Sequence, residues 1–352
     1  MKLQFDSSLD CQLDAINAVV DVFAGQIKSD SSFIVGQAEL GLEGQQLSLE
    51  ATSARGNVLS LMPEQIINNV HSIQDRNMLE RSEIAPGGFE FPVEFPLEIS
   101  TPKLQYDLNF SIEMETGTGK TYVYLRTIHE LHQKYGWKKF IIVVPSVAIR
   151  EGVLKNLEIT REHFDELYHK PAMNPYVWDS KKTGQAREFA TNDTLQIMVI
   201  TIDSFAKAAN IMNKQSDYGR PLDFIRATNP VVIVDEPQNM ETDTRKAAIE
   251  SLHPLCTLRY SATHKNPYNL LYRLTPVDAY DKHLVKKIEV HSVLSEDSYN
   301  DAYVNVVKLE RKGKSRIIAH VEVDTSDERG LQRRVVKVSP GDDLAELTGR
   351  AV

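Results

Sequence analysis

The 352 residues hold two cysteines, Cys11 and Cys256, which are too few and too far apart for a disulfide framework or a zinc site. They read as inert thiols. No run of about 18 apolar residues occurs, which excludes a membrane span. The start, Met1-Lys2-Leu3-Gln4-Phe5-Asp6, lacks the basic-then-apolar order of a signal peptide. A soluble, cytoplasmic protein is the expectation. An excess of positive charge is missing too: 40 basic against 49 acidic residues leave a net charge of -9. That argues against a chain that coats nucleic acid by bulk attraction, though not against a local groove that grips phosphates.

What is present is ordinary globular material, 41% apolar and 25% charged, long enough for a sizeable core and for about two domains. Its charge is lopsided. Residues 1–100 carry 5 basic and 15 acidic side chains, whereas 101–352 carry 35 and 34. The stretch 301–352 is locally basic.

Apolar residues recur at helical spacing between Leu9 and Ala24, and again from Pro63 to Leu79. Residues 29–60 and 84–103 are weakly patterned or proline-rich and read as connections. From residue 104 the texture changes. A strand-like stretch around 108–112 leads through a Gly/Thr turn into a helix from Lys120 to about Tyr135. Short apolar runs then follow at 140–144, 195–200, 231–234 and 258–261. Such runs separated by helical stretches predict an α/β fold, a parallel sheet with helices on both faces. Beyond residue 300 the alternation over 303–309, 316–323 and 334–338 predicts a small antiparallel meander, with a turn at Lys312-Gly313-Lys314. The domain reading is 1–103 as a helical and irregular segment packed on the lobe, 104–295 as the lobe, and 296–352 as the start of a β-rich region.

Glu115-Thr116-Gly117-Thr118-Gly119-Lys120-Thr121 stands between the first strand and its helix. Gly117 and Gly119 let the backbone curl so that N–H groups, including those of Thr116 and Thr118, face a polyphosphate. The helix N-terminus adds partial positive charge. Lys120 reaches the outer phosphates, and the Thr121 hydroxyl suits Mg²⁺. Met114 stands where the strict pattern has glycine. The second signal is Val231-Val-Ile-Val-Asp235-Glu236-Pro237-Gln238, two acids leaving a buried strand. Ligands of open α/β sheets sit at that edge. Asp235 is the candidate Mg²⁺ ligand and Glu236 the candidate general base for an attacking water.

Asp235-Glu236-Pro237-Gln238 resembles motif II of superfamily 2 helicase-like motors, which places Gln238 among the catalytic residues. Ser261-Ala262-Thr263 resembles motif III, which implies a coupling role for Ser261 and Thr263. Residues 144–152 resemble motif Ia and residues 200–205 motif Ib, and the first lobe implied is RecA-like. The motifs suggest DNA-backbone contacts through Ser146, Arg150, Thr201 and Ser204. Ser146 and Thr201 equally suit capping of the helices that follow. Phe5 with Gln12 resembles a Q motif, in which the amide reads adenine and an aromatic stacks nearby. The wording of the phosphate loop, of 144–153 and of Asp-Glu-Pro-Gln is similar to the restriction (Res) subunit of type III restriction–modification enzymes, up to about residue 295. The resemblance implies ATP and Mg²⁺ as cofactors, DNA as partner, and a methyltransferase (Mod) subunit that finds the site.

A second RecA-like lobe with its arginine finger, and a nuclease signature, are not found in the sequence, so a fragment with slow ATP turnover is the expectation. Asp342, Asp343 and Glu346 read as a surface helix. His129 and His132 read as helix surface, Tyr106, Tyr122 and Tyr124 as packing, and the basic residues 311–337 as edge charges. A type I restriction motor, another superfamily 2 DNA helicase, and a nucleotide-gated interaction module stay open as alternatives.

Overall fold

A computed structural model of the chain describes residues 4–28, 54–84, 108–215, 219–286, 303–312, 316–327 and 330–348. The chain divides into two compact units, 1–287 and 288–352. Most of the expected connections, at 29–53 and 85–103, as well as Tyr106 and the turn at 313–314, lie outside the described residues.

The first unit opens with α1 (Asp10–Val20), which tightens into a 3₁₀ turn at Asp21–Phe23, and α2 (Pro63–Arg76). Proline at the first turn and the Gln65 side chain on the Met62 N–H (2.9 Å) start α2. Then come β1 (Asn109–Met114), α3 (Lys120–Tyr135), β2 (Lys139–Val144), α4 (Val147–Ile159), α5 (Arg161–Leu167), β3 (Met173–Val177), α6 (Gly184–Thr191) and β4 (Leu195–Thr201). The unit finishes with α7 (Pro221–Arg226), β5 (Val231–Asp235), α8 (Asp243–Glu250), β6 (Cys256–Ser261), β7 (Leu270–Leu274) and α9 (Pro276–Asp281). Seven strands form one sheet in the order β3-β4-β2-β5-β6-β1-β7, and every pairing is parallel. The sequence-based α/β expectation holds. Among the described residues no helix is long and apolar enough to cross a membrane.

Strand alternation divides the core. Phe140, Ile142 and Val144 face one layer with Ile197, Val199 and Ile233, against α1, α2 and α3. Ile141 and Val143 face the other with Met198, Ile200, Val232 and Val234, against α6, α7 and α8. This two-sided burial is why β2, β4 and β5 read as unbroken apolar runs. At β1 and β6 the second face turns polar. Phe110, Ile112, Met114, Leu258 and Tyr260 join the first layer. Asn109, Ser111, Glu113, Thr257, Arg259 and Ser261 alternate with them and pair in register across β1 and β6. The β6–β7 connection covers that polar rear. The Ser111 hydroxyl accepts from the Tyr268 N–H (2.9 Å), Glu113 from the His264 N–H (3.0 Å), and the Arg259 guanidinium stacks on the Tyr268 ring at 4.6 Å.

A strap at 54–61 seals the amino end of the sheet. Asn57, fully buried, donates to the Lys139 carbonyl (2.8 Å) and accepts from the Lys138 N–H (2.9 Å). Beside it the buried Lys139 ammonium donates to the Phe189 and Asn192 carbonyls at the end of α6. His129 departs from expectation. It is buried, not on the helix surface, and lies between Phe164 and Tyr168 at 4.8 and 5.0 Å. Burial pushes its imidazole down to about 4.

The second unit is the antiparallel sheet β10-β9-β8, made of β8 (Val304–Lys312), β9 (Arg316–Asp327) and β10 (Gly330–Val338), followed by α10 (Leu344–Thr348). Val321 and Val323 are buried, while Val304, Val306, Leu309 and Val335 are exposed. The Arg333 guanidinium lies over the Tyr303 ring at 3.6 Å.

Candidate functional site

Because every strand of the large sheet runs the same way, all its carboxyl ends meet at one edge. There β1 delivers the phosphate loop, β5 the acid pair, β6 Ser261 to Thr263, β2 Ser146, and β4 Thr201 to Ser204.

The loop turns through two left-handed glycines, Gly117 (φ 83°) and Gly119 (φ 94°), and α3 begins at Lys120. Nothing crowds the position a Gly117 side chain would take, whereas a Cβ on Gly119 would sit 2.5 Å from the Gln12 amide nitrogen. Thr118 is buried, and its hydroxyl donates to the Glu115 carbonyl (2.6 Å). Thr116 is exposed, with its N–H on the Glu115 carboxylate (2.7 Å). The Gln12 amide donates to the Thr118 carbonyl (2.9 Å), so one of its two N–H donors is committed to the loop itself. Phe5 stacks on Tyr122 with centroids 5.9 Å apart, and also borders His163. The Arg126 guanidinium donates to the Ser7 carbonyl (2.7 Å) and ties this N-terminal segment to α3.

Two contacts join the loop's helix to the acids. Lys120 pairs with Glu236 at 3.1 Å, and the Tyr124 hydroxyl donates to Asp235 at 3.2 Å. Asp235 is buried, and burial with the neighbouring Glu236 charge raises its carboxyl to about 6. Burial also pushes the Tyr124 phenol well above its ordinary value, so it stays a donor. Glu236 adopts a left-handed backbone (φ 55°, ψ 58°), rare for a residue with a side chain.

From Glu236 a relay runs to β6. The Gln238 amide nitrogen donates to Glu236 (2.5 Å), and the Ser261 hydroxyl lies 2.9 Å from the Gln238 amide oxygen and 2.8 Å from the Thr263 carbonyl. Its single proton serves one acceptor at a time. Sequence reasoning named both ends of this relay. Tyr124, which the sequence presents only as a packing residue, is the partner that residue type and spacing do not mark.

The donor set suits a nucleotide with magnesium. Two adjacent acids face one lysine, which leaves uncompensated negative charge for a divalent cation. A hydroxyl and a single carboxylate from the protein are what Mg²⁺ commonly takes beside phosphate oxygens and water. Thr121 and Asp235 are the residues that would hold it.

Further along the edge, Ser146 is exposed and accepts from the Ile149 N–H (3.4 Å), which is the capping arrangement at the start of α4. Thr201 pairs with Ser204, hydroxyl to hydroxyl, at 2.7 Å and caps no helix. Arg150 and Ser204 line a common hollow.

The sequence profile of the family described as type III restriction enzyme, res subunit, matches residues 62–266. The Res subunit of the type III restriction-modification enzyme EcoP15I from Escherichia coli is 34% identical over 50% of this chain and 21% of its own length. That of EcoPI from Escherichia phage P1 is 30% identical over 65% and 24%. A solved structure of a nuclease-deletion mutant of the type ISP restriction-modification enzyme LlaGI with a DNA substrate mimic is 14% identical, with a TM-score of 0.35, over 49% of this chain and 18% of that one. The chain spans about a fifth to a quarter of the length of these curated relatives. Since the matched profile covers more than half of its residues, the chain belongs to the family of type III restriction enzyme Res subunits.

Proposed function

We propose that this chain is an ATP-dependent motor lobe that binds ATP with Mg²⁺, hydrolyses it and grips the DNA backbone, within a type III restriction complex that includes a methyltransferase partner. The observation that carries the reading is the meeting of the phosphate loop with the acid pair, Lys120 against Glu236 at 3.1 Å. The names of the relatives support the restriction setting.

The loop amides and Lys120 hold the phosphates and offset the negative charge that grows on them. Thr121 and Asp235 would hold the magnesium ion, which would supply further neutralisation of the phosphate oxygens. Glu236 takes a proton from the attacking water. In the structure one of its oxygens rests on Lys120 and the other on Gln238, so the lysine must turn to the phosphates before the carboxylate is released to the water. Gln238 holds the carboxylate in place, and Ser261 and Thr263 report its position to β6. Phe5 and Gln12 flank the base side of the site. Ser146, Arg150, Thr201 and Ser204 position the DNA strand without reading sequence.

Equilibrium binding of a fluorescent ATP analogue and phosphate release test this. Lys120→Ala is expected to lose nucleotide binding. Glu236→Gln keeps binding and slows hydrolysis by about 10²–10⁴, the range of general-base catalysis. Unchanged hydrolysis in Glu236→Gln would remove the general base from the scheme.

A further inference from the structure

The carboxyl edge carries a second concavity, about 750 Å³ in volume, where the ends of β3 and β4 meet α4 and α6. Trp178 and Asp179 follow β3, Lys182 comes from the turn into α6, Gln185 from the first turn of α6, Arg150 from α4, and Ser204 from the turn after β4. In the strand order β4 and β3 stand four and five places from β1, so roughly 19–24 Å separate this hollow from the phosphate loop. It is a site of its own.

Its chemistry is donor-rich. Among the described lining residues the one acid, Asp179, accepts with a carboxylate oxygen from the Lys181 N–H (2.9 Å). The Gln185 amide oxygen accepts from the Asp179 N–H (3.1 Å), which aims the amide nitrogen away from that bond. Arg150 spends Nε and Nη2 on a single oxygen of Glu151 and keeps Nη1. Among the described residues none accepts from Lys182 Nζ, Gln185 Nε2 or the Trp178 indole N–H. Lys182, the Nη1 of an Arg150 whose charge Glu151 already answers, and the fixed amide and indole donors suit a phosphodiester with its attached base.

We propose that this hollow receives one nucleotide of the DNA strand, with its phosphodiester against Lys182 and Arg150 and its base edge against Gln185. The inference rests on the DNA reading above and adds a place for one nucleotide, built largely from the β3–α6 turn.

The test uses the full chain and a single-stranded oligonucleotide carrying 2-aminopurine, followed by anisotropy and by the probe's own fluorescence across a salt titration. Lys182→Ala is expected to weaken binding about tenfold and to lower the slope of log K against log salt by about 0.7, one phosphate's share on a single strand. Lys182 is exposed, so this variant keeps the fold. Gln185→Glu retains the acceptor for the Asp179 N–H and removes the donor. It is expected to abolish the fluorescence rise that marks an unstacked base. If the unaltered chain binds DNA and both variants match it in affinity, slope and fluorescence, the hollow is not occupied and the DNA reading stands. If the unaltered chain binds no DNA at any salt, both readings fall.

Discussion

At the scale of single residues, the site is held in tension between stability and chemistry. Asp235 sits buried beside Glu236 with its carboxyl raised to about 6. A raised carboxyl holds its proton more tightly in the fold than in the open chain. Its contribution to stability is therefore full below about pH 4 and is lost as pH rises through 6. Two pH units of displacement amount to roughly 3 kcal/mol. Asp235→Asn, which keeps an acceptor for Tyr124, is expected to melt at a higher temperature than the unaltered chain at pH 8. That gap should shrink at pH 5.5, and a gap that grows toward acid would contradict the assignment. The variant should also lose hydrolysis, because the carboxylate is the group suited to the metal. Which residues would meet was legible from residue type and spacing: Lys120 and Glu236, named separately along the chain, lie 3.1 Å apart. What Gln12 touches was not legible. An amide serves a base edge and a main-chain carbonyl equally well, and only packing decides between them. His129 was misjudged for a related reason. Helical spacing does not reveal that Phe164 and Tyr168, more than thirty residues on, close over it.

At the scale of elements, the strands buried on both faces were plain in the sequence, because continuous Val/Ile runs leave little else to be. Two edge strands were not. β3 reads Met173-Asn-Pro-Tyr-Val177, with a proline and only partial burial, as an edge strand allows. β7 contains Arg273, whose charge is answered by Glu113 across the pairing with β1. Each lacks the apolar run that betrayed the others. The strap at 54–61 was equally hidden, since its part is played by a polar residue. Asn57 satisfies the N–H groups of Lys138 and Lys139 and the carbonyls of Lys139 and Asn229. Asn57→Ala leaves these buried groups without partners and is expected to cost roughly 2–3 kcal/mol, read as a lower urea midpoint at unchanged m-value. Leucine at the same position should be no better, since the loss lies in hydrogen bonds and not in volume.

At the scale of the whole molecule, the chain is two bodies of different kind. The first contains α1 and α2 inside the same core as the sheet. Ile16, Val19, Phe23 and Val70 are essentially inaccessible to water there. A chain cut after Lys287 is expected to keep a cooperative melt and nucleotide binding. One begun at residue 54 should lose its near-ultraviolet signal, because removal of α1 uncovers that apolar face. Survival of a cooperative melt without α1 would show that this face needs no cover. The change of texture beyond residue 300 was visible in alternation alone, yet the way α1 and α2 enter the core was not, because an amphipathic helix does not say which sheet it will meet. The polar rear of β1 and β6 has a last consequence, for how the protein can vary. Behind β2, β4 and β5, one aliphatic residue can stand in for another at little expense, since oil-like contact has no direction. Behind the strand that feeds the phosphate loop, each group is fitted to one counterpart, and an exchange there obliges its neighbour to change as well. Drift should thus be free on one flank of the sheet and paired on the other.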